Sequence, residues 1–539
     1  MYGYGYSLYN RLAFLGGLDP DATAFFSATG ITDPTIQGAI NSLCVDLKKY
    51  GVWSKMKAIY PFVGGTATTH KFNLKDSRDL NAAFRLAFSG GITHDSNGFT
   101  PNGVNGFANT FLTPIANQSI NSGHFSLYSK TSIASLTLVG SSGVRNSSGG
   151  RGVQMCIRRS ASNRFFAMNS EATNDVVIAS NETDARGFYL GSRTAINSLK
   201  YYKNNNIIAS TTGNQSETIL SSNTYYLGGL NQDGSLLTAS ADNKQLAFAT
   251  IGDGLTDEDS ANLYYSVQKF QTTLGRQVGT PIYSSNATDV NARLFLGATN
   301  IQDATITSAV DTLVQGLKTD GIWTKLKAVY PFVGGTDTTH KFNLVNALDE
   351  DSAFRLTFFG GITHSSTGIL PNGTNGRADT NMNILSNLSL TNTHLSYYSR
   401  TNLINSVSGS EISSNIAYNP LSTINLRTRN SSAGSTQYFS IGQDNGASIS
   451  NTNGLGLTLG TTSSLTSRKL FQNGVLKVTQ TTANAGTLQN TSVCLFGTTG
   501  GYSKNESSFA SIGNNLTDTE ASNLYTRVQA FQTTLNRQV

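Results

Sequence analysis

The chain has 539 residues, with 38 Lys and Arg against 32 Asp and Glu, a net charge of +6 and only 13% charged residues. Its cations are scattered rather than clustered, which excludes the basic footprint of a nucleic-acid-binding domain, and no stretch approaches the ~20 apolar residues of a membrane span. Abundant Gly, Ser, Thr and Asn, with 27 Phe and 22 Tyr, instead suit a turn-rich β protein with ample core.

Residues 1–20 come first, with Tyr2, Tyr4 and Tyr6 separated by glycines, Tyr9 following, and no second copy elsewhere. The segment lacks a basic start followed by a continuous apolar run, so a Sec signal is not expected. It reads as an attachment segment. A helix follows, with Asp33 as N-cap and Pro34 at the first helical position. Ile36, Ile40, Leu43 and Leu47 make one apolar face, and Gly51 ends the helix.

The period then becomes two. Phe84, Leu86 and Phe88 alternate with Arg85 and Ala87, and Phe125 and Leu127 alternate with His124, Ser126 and Tyr128. Such alternation predicts half-buried strands. On this reading His124, Ser126 and Tyr128 face away from the core, on the wet side expected of an antiparallel sheet. Between these strands runs a polar loop, from Thr93 and His94 to Pro101-Asn102-Gly103-Val104-Asn105-Gly106. Its amides suit sugar hydroxyls, although Pro-Asn-Gly is also ordinary turn chemistry. The unit closes with a second helix carrying Leu263, Val267, Phe270 and Leu274 on one face, started by Thr256 and Asp259.

The whole pattern then returns. Tyr60-Pro61-Phe62-Val63-Gly64-Gly65 reappears as Tyr330 to Gly335, and Thr68 to Leu74 as Thr338 to Leu344. The offset is 270 from about Ala22 to Thr131; the middle diverges, and matching resumes at an offset of 261 up to Val278 and Val539. Repeats this long are whole domains rather than solenoid units. The predicted organisation is an attachment segment (1–20), a first domain (21–278), a linker (279–288) and a second domain (289–539). Asn473-Gly474 between two apolar runs is a hairpin signal, with Lys203 to Asn206 in the comparable place of the first copy. The predicted fold class is all-β: two tandem antiparallel jelly-roll β-sandwiches, each with an N-terminal and a C-terminal helix.

Two resemblances follow from these residues. Phe471-Gln472-Asn473-Gly474, with Leu516-Thr517-Asp518-Thr519-Glu520 to Leu524-Tyr525, resembles the closing hairpin and helix of laminin-G-like, concanavalin-A-like jelly rolls. The run from Trp53 to Asn105, repeated in the second copy, resembles a module of virion and tail-associated proteins from phages infecting Bacteroidota. That resemblance implies a non-enzymatic structural protein of a bacteriophage particle: a fibre, spike or baseplate component that contributes to host attachment. The implied partners are other virion proteins, further copies of the chain in a homo-oligomer, and a host surface glycan. A dedicated carbohydrate-binding adhesin is the alternative.

The chemistry agrees with this reading. All six histidines are matched pairs, His70/His340, His94/His364 and His124/His394, but spacings of 24 and 30 residues fit no compact metal motif. No metal and no cofactor are expected. A jelly-roll glycosidase needs two facing carboxylates, and no Glu matches Glu between the copies. The shared acids Asp33/Asp303 and Asp257/Asp518 fit helix starts, while Asp79/Asp349 has no assigned role. Cys44, Cys156 and Cys494 are unmatched and suggest no disulfide framework. No catalytic residue is assigned. The candidate ligand-contact residues are His94, Asn102, Asn105, His124 and Tyr128, with His364, Asn372, Asn375, His394 and Tyr398 in the second copy. Tyr2, Tyr4, Tyr6 and Tyr9 are the candidates for particle attachment.

Overall fold

The computed structural model describes residues 17–133, 142–147, 152–158, 164–168, 176–179, 183–214, 219–406, 408–415, 424–431, 435–442, 445–498 and 501–539. Tyr2, Tyr4, Tyr6 and Tyr9 lie outside them. The chain forms two compact units that divide between Pro281 and Ile282.

In the first unit, helix α1 (Pro20–Thr29) is capped by Asp19, and helix α2 (Pro34–Lys49) by Asp33, whose carboxylate accepts from the Thr35 and Ile36 N–H groups. Lys48 near the end of α2 returns to Asp19, tying the two helices together. Helix α3 (Asp257–Thr273) starts from the capping box of Thr256 and Asp259. The second unit repeats this with α4 (Val290–Thr299), α5 (Ala304–Thr319) and α6 (Asp518–Thr534), and Asp289 caps α4 while pairing with Lys318. Among the described residues each unit therefore has a further ten-residue helix before the first one the sequence predicts, and two four-residue helices besides, Ala67–His70 and Pro114–Asn117 in the first unit and Asp337–His340 and Ile384–Asn387 in the second. Helix α1 is short and buries only Ala22, Phe25 and Phe26, too few to register as a periodic face.

Each unit is a sandwich of antiparallel sheets, the predicted fold class, with one parallel pairing in the first unit, between Leu230–Gln232 and Ser142–Arg145. The first sheet of unit one runs Asn206–Thr211, Ser198–Lys203, Gly187–Ala195, Gly123–Ser129, Leu246–Gly252, Gly98–Pro101 and Ile92–Asp95, with Met56–Tyr60 also paired to Leu246–Gly252. Its partner sheet runs Val176–Ala179, Arg164–Met168, Gly152–Cys156, Ser142–Arg145, Tyr226–Leu227, Phe107–Asn109 and Ala87–Ser89. The second unit keeps the same order in both sheets. Its hairpin turn at Asn473-Gly474 has φ of 50° and 75°, and Asn204-Asn205 in the first unit has 45° and 70°. Two consecutive left-handed residues match the strand twist, as the Asn-Gly signal predicts.

The predicted wet face does not exist. Strands Gly123–Ser129 and Thr393–Ser399 are buried at every position. Leu395 and Tyr397 face the sandwich core, while Tyr398 joins a separate core with Leu313, Leu317, Leu524, Val528 and Phe531 of α5 and α6. In the first unit Phe248 meets Phe270 of α3 at 5.9 Å between ring centroids, and Phe188 meets Tyr264 at 6.1 Å. The apolar faces of the helices need a surface to cover, and they cover this one. The predicted strand at Phe84–Phe88 is also shorter. Only Ala87–Ser89 is strand, because Phe84 turns left-handed at φ 58° and its carbonyl accepts from Tyr60 Oη at 2.7 Å.

One buried side chain closes each unit. Arg276, 3% exposed, follows α3. Its Nε donates to Gln271 Oε1 (2.9 Å), Nη1 to the carbonyls of Phe62 (2.8 Å) and Ser96 (3.1 Å), and Nη2 to those of Pro61 and Ala247 (both 3.2 Å). All five guanidinium N–H groups are thus used. Arg537 repeats the set with Gln532, Phe332, Ser366, Pro331 and Ser508. Burial lowers the guanidinium pKa to about 10 in Arg276 and about 9 in Arg537. Phe62 and Phe332 take φ of 44° and 43°, which turns their carbonyls onto the arginines. Replacing Arg537 with Leu removes the guanidinium from the buried carbonyls of Pro331, Phe332 and Ser508 and is expected to cost on the order of 3–5 kcal/mol in urea unfolding; an unchanged midpoint would contradict this role.

Candidate binding site

The loop after strand Ile92–Asp95 and Gly98–Pro101 is pinned by its own asparagines. Asn102 Oδ1 accepts from the N–H groups of Val104, Asn105 and Gly106, all at 3.0 Å. Asn102 Nδ2 and Gly91 N–H both donate to Asn105 Oδ1 at 2.9 Å. The Gly90-Gly91 turn lies directly against this loop: a Cβ on Gly90 would meet the Asn105 carbonyl oxygen at 2.0 Å, and one on Gly106 the Gly91 oxygen at 2.2 Å. The second copy reproduces the set through Asn372, Asn375 and Gly361, with distances of 2.8–3.0 Å. Both asparagines of each copy are exposed. Their Oδ1 atoms serve the turn, whereas the Nδ2 groups of Asn105 and Asn375 have no partner among the described residues.

His94 stands at the base of this loop. Its Nδ1 lies 3.0 Å from Nδ1 of His70, which is buried, and the rings of Phe62 and Phe88 enclose the pair. His340 and His364 make the same contact at 3.0 Å. The Gly335 N–H donates to His340 Nε2 at 3.2 Å, so Nδ1 of His340 carries the proton and donates to His364. The pair is a neutral brace beneath the hairpin. The sequence matched these histidines between copies but gave no sign that they touch.

His124, Tyr128, His394 and Tyr398 do not belong to this site. Each is fully buried beneath the helices rather than open to ligand. His124 Nδ1 meets the Asp253 carbonyl at 2.6 Å and Nε2 meets Thr250 Oγ1 at 3.0 Å, while Tyr128 donates to Gln268 Oε1 at 3.0 Å. His394 makes the same kind of contacts with Asn514 and Ser511, and Tyr398 donates to Gln529 at 2.8 Å. Asp79 and Asp349 also gain a role: each pairs with a lysine and an arginine, Lys71 and Arg85 or Lys341 and Arg355.

The partner sheet adds residues that the sequence did not single out. Phe107, directly after Asn105-Gly106, stacks on Tyr226 with centroids 4.3 Å apart and planes at 17°. At the matching place in the second copy Arg377 lies 4.3 Å over the ring of Phe359, which is 42% exposed. Strand pairing puts Phe359 directly opposite Arg377. The available signal was a mismatch inside an otherwise matched run: Gly106-Phe107-Ala108 against Gly376-Arg377-Ala378. Among the described residues, no group of three or more His, Cys, Asp or Glu side chains is placed to hold a metal, and no helix is long and apolar enough to cross a membrane.

No family model matches the chain, and no curated protein matches it. Solved structures with partial likeness include domain 4 of AbnA, a GH43 extracellular arabinanase from Geobacillus stearothermophilus in complex with arabinotriose. It has 16% identity and a TM-score of 0.28, and the match covers 37% of this chain and 98% of that one. The CBM40 of a Ruminococcus gnavus IT-sialidase has 14% identity and a TM-score of 0.21, covering 26% and 81%. The binding domain of Botulinum neurotoxin DC in complex with rat synaptotagmin II has 15% identity and a TM-score of 0.26, covering 39% and 53%.

Burial pushes the pKa of His70 and His340 down to about 3 and that of His124 and His394 down to about 4. An unfolded chain takes up these protons near pH 6.5, whereas the folded one does not. The stability they contribute is therefore complete above about pH 6.5 and is lost as pH falls toward 4 and then 3. In NMR, the ring protons of these four histidines are expected to stay unshifted from pH 8 to 5; titration of any of them in that range would contradict the buried, neutral assignment.

Proposed function

We propose that the chain is a non-enzymatic binding protein displayed on the surface of a bacteriophage particle, in a fibre, spike or baseplate, where it contributes to host attachment by contacting surface glycan. The supporting observation is the pinned amide loop, built by the same hydrogen bonds in both units and exposed in each. A loop already fixed by its own backbone bonds loses little conformational freedom when it binds. Two such loops in one chain, multiplied in a homo-oligomer, turn weak contacts into avidity. The virion setting rests on the resemblance of Trp53 to Asn105 and its copy to phage particle modules. Residues 1–20, with their unrepeated tyrosines, are the proposed attachment segment. On this reading the protein acts outside the cell as part of the particle and needs no cofactor.

The chain lacking residues 1–16, which leaves the Asp19 cap of α1 and its pairing with Lys48 in place, is expected to keep both folded units but to be missing from purified particles; normal incorporation would refute the attachment role. On a glycan array the full chain is expected to bind, and silence across the array would refute glycan contact. Incubation with host surface polysaccharide is expected to release no reducing ends, and their release would make the protein an enzyme.

A further inference from the structure

The two loops share a scaffold but differ in charge. In the second unit Arg377 lies over Phe359, and no carboxylate pairs with it among the described residues. The nearest acid on its strand, Asp379, is engaged: its Oδ1 accepts from the Asn381 N–H, and its Oδ2 from Asn415 Nδ2 and Ser492 Oγ. Lys504 is exposed and its stem lies against Gly373 in the middle of the loop, where a Cβ would meet Lys504 Cγ at 2.5 Å. It also has no ion pair among the described residues. The matching residues of the first unit are Phe107 and Asn243, both uncharged. Thr374 likewise replaces Val104, which is 62% exposed.

The charged side chains without an ion pair beside the second loop are therefore cations, and the Thr374 hydroxyl can donate or accept. Asn375 Nδ2, the Arg377 guanidinium and the Lys504 ammonium have hydrogens to give, while the asparagine oxygens are spent on the turn. A donor-rich, cationic surface beside an exposed aromatic ring is matched by a ligand with an anionic oxygen group on a ring that presents C–H groups. We infer that the second unit's loop selects an acidic sugar, with its carboxylate held by Arg377 and Lys504 and its ring against Phe359, whereas the first unit's loop, with Phe107 stacked on Tyr226, is built for a neutral sugar. This rests on the glycan-contact reading above and assigns a ligand class to that same loop.

The test is titration of the full chain with methyl β-D-glucuronide and methyl β-D-glucoside, followed by saturation-transfer NMR. Wild type is expected to bind the glucuronide more tightly, and more weakly as NaCl rises from 0.05 to 0.5 M by screening. Arg377→Gln and Lys504→Gln are each expected to weaken glucuronide binding about tenfold, the scale of a lost charge-assisted hydrogen bond, and to leave glucoside binding unchanged. Arg377→Lys is expected to recover part of the loss, and an unfolding midpoint equal to wild type separates lost contact from lost fold. Equal affinity for both sugars in wild type, or glucuronide binding untouched in the double variant, would overturn the charge selection while glycan contact stands. Failure of both sugars together with a silent glycan array would bring down the glycan-contact reading as well.

Discussion

A buried guanidinium has one demand: each of its five N–H groups needs an acceptor, because an unpaired one deep in a protein costs more than the bond returns. Arg276 and Arg537 meet that demand almost wholly with backbone carbonyls. The acceptors come from the Tyr-Pro-Phe turn, from the hairpin that carries His94 or His364, and from the last strand of the unit. Four separated pieces of chain are thereby held at one point. The left-handed phenylalanine in that turn is the backbone's accommodation to this geometry, and the histidine brace lies next to it. The hairpin beneath the amide loop is clamped in this way, and the loop itself is pinned by its own asparagines.

Much of this was legible in the sequence. The helix starts at Asp33, Thr256 and Thr517, the Asn-Gly hairpin and the sandwich class follow from local chemistry that tertiary context does not override. The buried face of Gly123–Ser129 was not legible. A strand with Phe and Leu on one side and His, Ser and Tyr on the other looks half-wet, and nothing local reveals that helix will be laid over the polar side. His124 and Ser126 survive there because Thr250 and the Asp253 carbonyl satisfy them. The arginine clamp was visible only as the repeated Leu-x-Arg-Gln-Val at the end of each copy, since its acceptors are carbonyls, which leave no mark on residue type. The amide loop was found, but its chemistry divides: turn formation consumes the oxygens and leaves the amide nitrogens outward.

The copies diverge where the scaffold is indifferent. Beyond Thr131 the sequences part, and the partner sheet carries most of the change. Buried charge is rearranged there rather than deleted. The first unit buries the pair Lys244 and Asp242. At the matching positions the second has Asn505 and Ser503, and both donate to a buried carboxylate, Glu411, which also accepts from Asn405 and Thr428. Burial raises the Glu411 pKa. Helix packing is rewired in the same manner: Lys269 of α3 reaches Asp46 of α2, whereas Arg527 of α6 passes over Gly316 of α5 to Asp320. Each exchange involves several residues at once, because a buried charge left alone would be costly.

The strand order also dictates a schedule. Leu246–Gly252 is bonded to Met56–Tyr60, Gly98–Pro101 and Gly123–Ser129 at once, so the middle of the first sheet is supplied by nearly the last segment of its unit. A nascent chain leaving the ribosome therefore cannot zip this sheet in the order of synthesis. Its earlier strands must wait, with unpaired edges, for a partner almost two hundred residues downstream of the first of them. High contact order of this kind slows folding and lengthens exposure to wrong pairings. The related strands of a second copy in the same chain are the nearest wrong partners available.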